Sequence, residues 1–117
     1  MNAKHVPFLI ALAALALTAR ASDAPKATPE LVAQGKAAFG KYCASCHGPK
    51  GEGDGPAAKA LKPPPRNLVT QPMKDGAPGV FQVLNTGVKG TAMIAFKHLS
   101  EGDRWALAHY VASLPKK

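Results

Sequence analysis

Apolar residues in this chain recur at three- and four-residue steps and nowhere alternate in twos, so the pattern predicts helices and no strands. The first clear face is Leu31, Gly35, Phe39 and Tyr42. Ahead of it, Thr28-Pro29-Glu30 has the features of a helix start: a hydroxyl that can cap, a proline suited to the first helical position, and a carboxylate at the positive end. This helix runs toward Cys43–Cys46. Gly35 costs about 1 kcal/mol relative to alanine in a helix interior. Its use there is steric, admitting a second backbone. Pro56 to Leu61 predicts a short helix, and Pro63-Pro64-Pro65 an extended segment. Pro78 to about Asn85 predicts another short helix, with Val80, Phe81, Val83 and Leu84 as its apolar content and Gly87 as its stop. Lys89 to Leu99 is irregular. Ser100 to Asp103 has the layout of a capping box, with Asp103 in place of the usual Glu or Gln. The last helix then runs to about Leu114, showing Leu107, Tyr110, Val111 and Leu114 on one face, and Pro115 ends it. No internal repeat is evident.

The N-terminus follows a different pattern. Met1 to His5 carries a basic residue, an apolar run follows from Phe8 to Leu17, and Ala19-Arg20-Ala21 places small residues where a signal peptidase reads them. The expected organisation is a secretory signal at 1–21, a short flexible leader at 22–28 and one domain at 29–117. Ten apolar residues fall well short of the ~20 that a spanning helix needs, so no stable membrane span is expected; an uncleaved anchor is the alternative. No cysteine lies near the cleavage site to take a lipid. Export points to the periplasm. Cleavage after Ala21 leaves 96 residues, enough for one domain with little core of its own. It also lowers the formal charge from +8 to +6, because Lys4 and Arg20 are lost.

Cys43-Ala44-Ser45-Cys46-His47 changes the picture most. Two cysteines spaced i, i+3 with a histidine directly after them form a c-type haem attachment site. Residues three apart on a helical turn lie on the same side, so both thiols can add to the vinyl groups of one porphyrin and form thioethers. His47 then lies under the ring as the proximal iron ligand. Two rivals use the same cysteines. A redox dithiol belongs in a βαβ pattern, which is absent around Cys43. A zinc site needs more Cys or His at short spacing, whereas Cys43 and Cys46 are the only cysteines and His5, His98 and His109 are scattered. An apolar macrocycle bonded into the centre would supply much of the missing buried surface of so small a domain.

The segment Gly48 to Pro56 is glycine-rich but matches no phosphate cradle, since no strand precedes it and no GK[ST] follows. Nor does it carry the alternating acids of a calcium loop. It reads as a tight turn on the His47 side. The sixth iron position needs a donor or stays open. Met93, 46 residues after His47 in Gly90-Thr91-Ala92-Met93-Ile94, is the leading candidate, and Met73 is its competitor. A thioether is neutral and soft, and it raises the potential relative to a second histidine. His98 and His109 are weaker choices.

With these residues in view, the chain resembles the class I c-type cytochromes, which carry one haem with His/Met ligation. The resemblance covers 29–115. It rests on Gly35 to Phe39 as the N-terminal helix signature, Cys43 to His47, Gly90 to Met93 as the distal loop, and Leu107 and Tyr110 on the C-terminal helix. Gly53-Asp54-Gly55-Pro56 and the later Pro-Pro-Arg-Asn-Leu resemble a bacterial subgroup of small cytochromes that includes domains of larger complexes. The resemblance implies an all-α cytochrome c fold, with first and last helices crossing and short helices and loops wrapped around one covalent haem c with its iron. It implies Met93 as the distal ligand, Thr91 as a propionate contact, and a proline carbonyl that accepts the proximal histidine's N–H. Pro64 or Pro65 fits that last role best. Arg66 either meets a propionate or is a solvated charge.

The function expected is transfer of single electrons, with no enzymatic activity. Redox partner proteins are expected, some with acidic docking surfaces that the basic chain would steer toward the haem edge; the bland reading of the same charge is solubility. Nucleic acid is not an expected partner, since export separates the two and no basic-aromatic clusters occur. The chain is expected to be a monomer. Three other readings use the same residues. One is a haem-bearing subunit or docking domain of a larger redox complex. Another is a ligand sensor with a labile Met93 bond. The third is a peroxidase-like enzyme with an open iron position.

Overall fold

The computed structural model describes residues 24–117, so the export segment expected at 1–21 lies outside the described residues. The described residues form four α-helices, α1 (Pro29–Tyr42), α2 (Ala44–His47), α3 (Gly76–Thr86) and α4 (Glu101–Ser113), with a 3-10 turn at Ala58–Ala60. No strand occurs among the described residues, in line with the helical periodicity of the sequence.

Helix α1 starts where its cap was expected. Thr28 Oγ1 accepts the Leu31 N–H at 3.1 Å, which satisfies one of the first-turn donors and is worth about 1 kcal/mol. Its Gly35/Phe39 face is buried against α4. A Cβ on Gly35 would lie 2.6 Å from the Ala106 carbonyl carbon and 2.7 Å from Tyr110 Cβ, so only glycine lets the two backbones approach this closely. Beside that crossing, the Phe39 and Tyr110 rings meet edge to face at 5.3 Å. Phe39 is 2% exposed and Leu107 1%; burial of each contributes about 1.5–3 kcal/mol. Gln34 Nε2 adds a polar tie, donating to Asp103 Oδ1 at 2.8 Å.

That tie corrects the expected capping box. Ser100 Oγ accepts the Asp103 N–H at 3.1 Å, as an N-cap should. The returning bond belongs to Gln34 instead, because the Asp103 carboxylate is one methylene shorter than Glu and points across to α1. The buried side of α4 is also broader than its Leu107/Leu114 stripe, since Trp105, Ala106 and Ala108 are buried too.

Helix α3 begins two residues before Pro78. Proline is tolerated throughout the first turn, where its missing N–H has no helical acceptor, so Gly76 and Ala77 can precede it. The helix stops where expected: Gly87 takes φ +65 and its N–H bonds the Val83 carbonyl. Helices α3 and α4 are joined by Phe81 stacked on Trp105, with centroids 3.8 Å apart. Arg104 lies over the Phe81 ring at 5.5 Å and donates to Asn85 Oδ1. The leader segment is also tied to the domain, as His109 Nε2 donates to the Pro25 carbonyl at 2.7 Å.

Candidate functional site

The first wall of the site is built where α1 breaks. Cys43 ends α1, its N–H bonding the Phe39 carbonyl at 2.9 Å. The single turn of α2 then closes through His47 N–H to Cys43 O at 2.9 Å. One turn therefore gathers Cys43, Cys46 and His47 on one wall of a cavity of about 620 Å³, within the usual range of a cofactor site. Burial, with a smaller contribution from neighbouring Cys46, pushes the Cys43 thiol up to about 11. Cys43 is thus a neutral thiol at physiological pH.

His47 is oriented by a backbone oxygen. Its Nδ1 lies 2.9 Å from the Arg66 carbonyl. A carbonyl only accepts, so Nδ1 carries a proton, and in the neutral ring the lone pair is then on Nε2. That is the tautomer an iron ligand requires, with the ring direction fixed from behind. The expected proline is corrected here: the oxygen belongs to Arg66, not to Pro64 or Pro65. The run expected to be extended bends at Pro63, is free of helix through Pro65, and delivers the next residue to the histidine.

The glycine-rich loop holds that segment in place. Gly53 N–H bonds the His47 carbonyl at 2.7 Å, and Gly55 N–H bonds that of Cys46 at 3.1 Å. These bonds satisfy carbonyls that the short α2 leaves open. Leu68 N–H reaches the Gly51 carbonyl at 2.7 Å. Gly53 has φ +78, and a Cβ there would sit 2.9 Å from Pro65 O. Only glycine suits both the left-handed backbone and the close approach. The loop is thus a clamp between His47 and Arg66, the tight turn expected on this side.

A second part of the cavity lining comes from the loop after α3. Val88 N–H bonds the Met93 carbonyl at 2.9 Å, closing residues 88–93 into a ring of backbone. Thr91 Oγ1 donates to Val88 O at 2.8 Å and accepts the Met93 N–H at 3.1 Å. Its single proton is committed inside the loop, where it fixes the approach of Met93. Val88, Met93 and Ile94 line the cavity. Apolar side chains from α1, α3 and α4, among them Phe39, Leu84 and Leu107, complete its surface.

The two methionines are placed differently. Met73 also borders the cavity, but its Sδ accepts from Arg66 Nη1 at 3.2 Å. That sulfur is thereby tied to the residue whose carbonyl holds His47. No such bond occupies Met93. Arg66 lines the cavity as well. His98 reaches the rim, 5.5 Å ring to ring from Phe96, while His109 is turned away to Pro25.

The donor set fits a covalent c-type haem: two thiols, an imidazole and a thioether line one cavity with a largely apolar surface. Among the described residues no group of three or more His, Cys, Asp or Glu could hold a metal ion, so the cysteines have no zinc site to join. No helix among the described residues is long and apolar enough to cross a membrane.

Comparison with known proteins agrees with this geometry. The family model described as Cytochrome c matches residues 32–115. No curated protein matches the chain. Among solved structures, the chain is similar to a chain of the Kuenenia stuttgartiensis reducing HAO-like protein complex, with a TM-score of 0.73 and 32% sequence identity. The similarity covers 81% of this chain and 48% of that one, so this chain spans about half the length of the solved relative.

Proposed function

Because the chain belongs to the cytochrome c family, whose members bind covalent haem c with its iron and transfer electrons through it, we propose that it is a periplasmic carrier of single electrons with one His/Met-ligated haem. Cys43 and Cys46 would hold the haem through thioethers, and His47 Nε2 and Met93 Sδ would be the donors to its iron. The haem, when bound, supplies the one-electron couple. The observation that carries this reading is the cavity itself, which Cys43, Cys46, His47 and Met93 all line. The His47 to Arg66 bond fixes one ligand and the Thr91 to Met93 bond the other. Both donors are therefore set before an electron arrives, and little must rearrange when the charge changes. The neutral thioether favours the ferrous state. A closed pair of ligands argues for a carrier rather than an enzyme or sensor.

The partner is proposed to be a redox protein with an acidic rim. Between Gly55 and Ser100 the chain has six Lys and Arg and only Asp75 as an acid, and these residues include most of the cavity's mouth. Val88 and Ile94 at that mouth are 43% and 59% exposed, an apolar centre for a cationic face. The same exposed pair, with the place of the solved relative in a complex, supports a second reading as a haem-bearing subunit of a larger redox assembly.

Intact mass of the protein purified from periplasm tests the proposal. One added haem and loss of residues 1–21 are expected. An unmodified mass, or more than one haem, contradicts it. Co-elution with a second polypeptide in size-exclusion chromatography selects the subunit reading over the free carrier.

A further inference from the structure

The carbonyl that orients His47 belongs to an arginine, and the orienting role makes no use of its charge. Arg66 has two separate attachments. Its backbone oxygen accepts from His47 Nδ1 at 2.9 Å. The residue lines the same cavity, and its Nη1 donates to Met73 Sδ at 3.2 Å. Met73 is itself packed against the hydrophobic core, so the acceptor is well positioned. Among the described residues the ion pair found joins Lys117 and Glu52, and no carboxylate lies against Arg66. A guanidinium keeps its proton over any pH at which a protein folds. The result is a cation anchored on Met73 at the His47 side of the cavity, with no protein carboxylate beside it among the described residues.

We propose that Arg66 is a redox-tuning positioning residue, its guanidinium anchored on the Met73 thioether and raising the reduction potential of the haem. The proposal rests on the haem reading above, with His47 as a ligand. Oxidation adds one positive charge at the iron, and a nearby fixed cation opposes it. The interaction falls with distance and with the effective dielectric. Arg66 is an exposed residue, so salt weakens the effect. A thioether is a weak acceptor and contributes direction rather than strength. It holds the guanidinium on Met73 rather than leaving it to sample solvent freely.

The test is the reduction potential of the holoprotein, by spectroelectrochemistry at low and high ionic strength, for wild type, Arg66→Gln, Arg66→Lys and Met73→Leu. Absorption spectra of each variant report the ligands independently. The potential is expected to fall in Arg66→Gln and to stay near wild type in Arg66→Lys. In Met73→Leu it falls part of the way, because the released guanidinium moves into solvent. All differences shrink at high salt, and the ligand bands are unchanged throughout. A wild-type potential in Arg66→Gln with intact bands overturns the proposal while leaving the haem reading standing. A wild-type potential in Met73→Leu overturns the anchor. A changed pH dependence of the potential in Arg66→Gln means that Arg66 pairs with a haem propionate, and it overturns the placement on Met73. If Arg66→Gln does not fold, Arg66→Lys and Met73→Leu decide: a fall in Arg66→Lys with none in Met73→Leu refutes the charge argument. Absence of a low-spin haem c spectrum in wild type defeats the haem reading itself.

Discussion

The same substitution at two glycines of α1 should act with opposite signs. Gly40 is exposed and a Cβ there meets nothing within 4 Å. Gly40→Ala therefore gains helix propensity alone, about 0.5–1 kcal/mol of stabilisation. Gly35→Ala gains the same propensity but drives its Cβ to 2.6 Å from the Ala106 carbonyl carbon and 2.7 Å from Tyr110 Cβ. Those atoms belong to α4, which cannot swing aside as a long side chain can. Overpacking of this kind costs about 1–3 kcal/mol, and contact with a helix backbone places it at the upper end. The net loss is about 1–2 kcal/mol. For a domain this size each kcal/mol moves Tm by about 4–8 °C, so Gly35→Ala should melt roughly 5–15 °C below wild type. Gly40→Ala should melt a few degrees above it, by the same scaling. Circular dichroism of the oxidised holoprotein, with the Soret band followed in parallel, measures both. Gly35→Ala melting at or above wild type would show that α1 and α4 do not meet at Gly35.

Two further predictions concern the mouth of the cavity and its partner. Thr91→Val removes a hydroxyl that donates to Val88 and accepts from Met93, leaving a half-buried N–H unpaired at a cost of about 1–3 kcal/mol. If Met93 release limits access to the iron, ferrous Thr91→Val should bind carbon monoxide about ten-fold faster, and a wild-type rate in stopped flow contradicts the role given to Thr91. Lys89→Glu and Lys97→Glu should slow electron exchange with an acidic partner at low salt and converge with wild type near 1 M, where the screening length is about 3 Å. Equal rates at low salt would leave the basic face with a solubility role only.

Much of this molecule is legible along the chain because the deciding signals are local. Thr28 caps, Gly87 stops a helix, and Cys43 to His47 fit on one turn; each depends on neighbours within a few residues. Gly35 is legible for another reason: a costly glycine inside an otherwise sound helix needs a close approach to justify it. What escapes is carried by backbone atoms or by small side chains. The oxygen behind His47 is a main-chain carbonyl, which every residue has, so side-chain identity does not distinguish Arg66 from the prolines before it. Ala106 is buried because it faces Gly35 of α1, and Ala108 because it packs into the hydrophobic core, yet alanine signals neither burial nor exposure in a hydropathy pattern. The early start of α3 is hidden by Pro78, which marks a first turn without marking which position of it. The Gln34 to Asp103 bond spans 69 residues and exists only once α1 and α4 have crossed.

The central claim is that Met93, and not Met73, closes the iron opposite His47. It is tested most directly by the weak red charge-transfer band of sulfur-ligated ferric haem c, recorded for wild type, Met93→Ala and Met73→Ala. The account predicts the band in wild type and Met73→Ala and its loss in Met93→Ala. A band that survives Met93→Ala and disappears in Met73→Ala would contradict it.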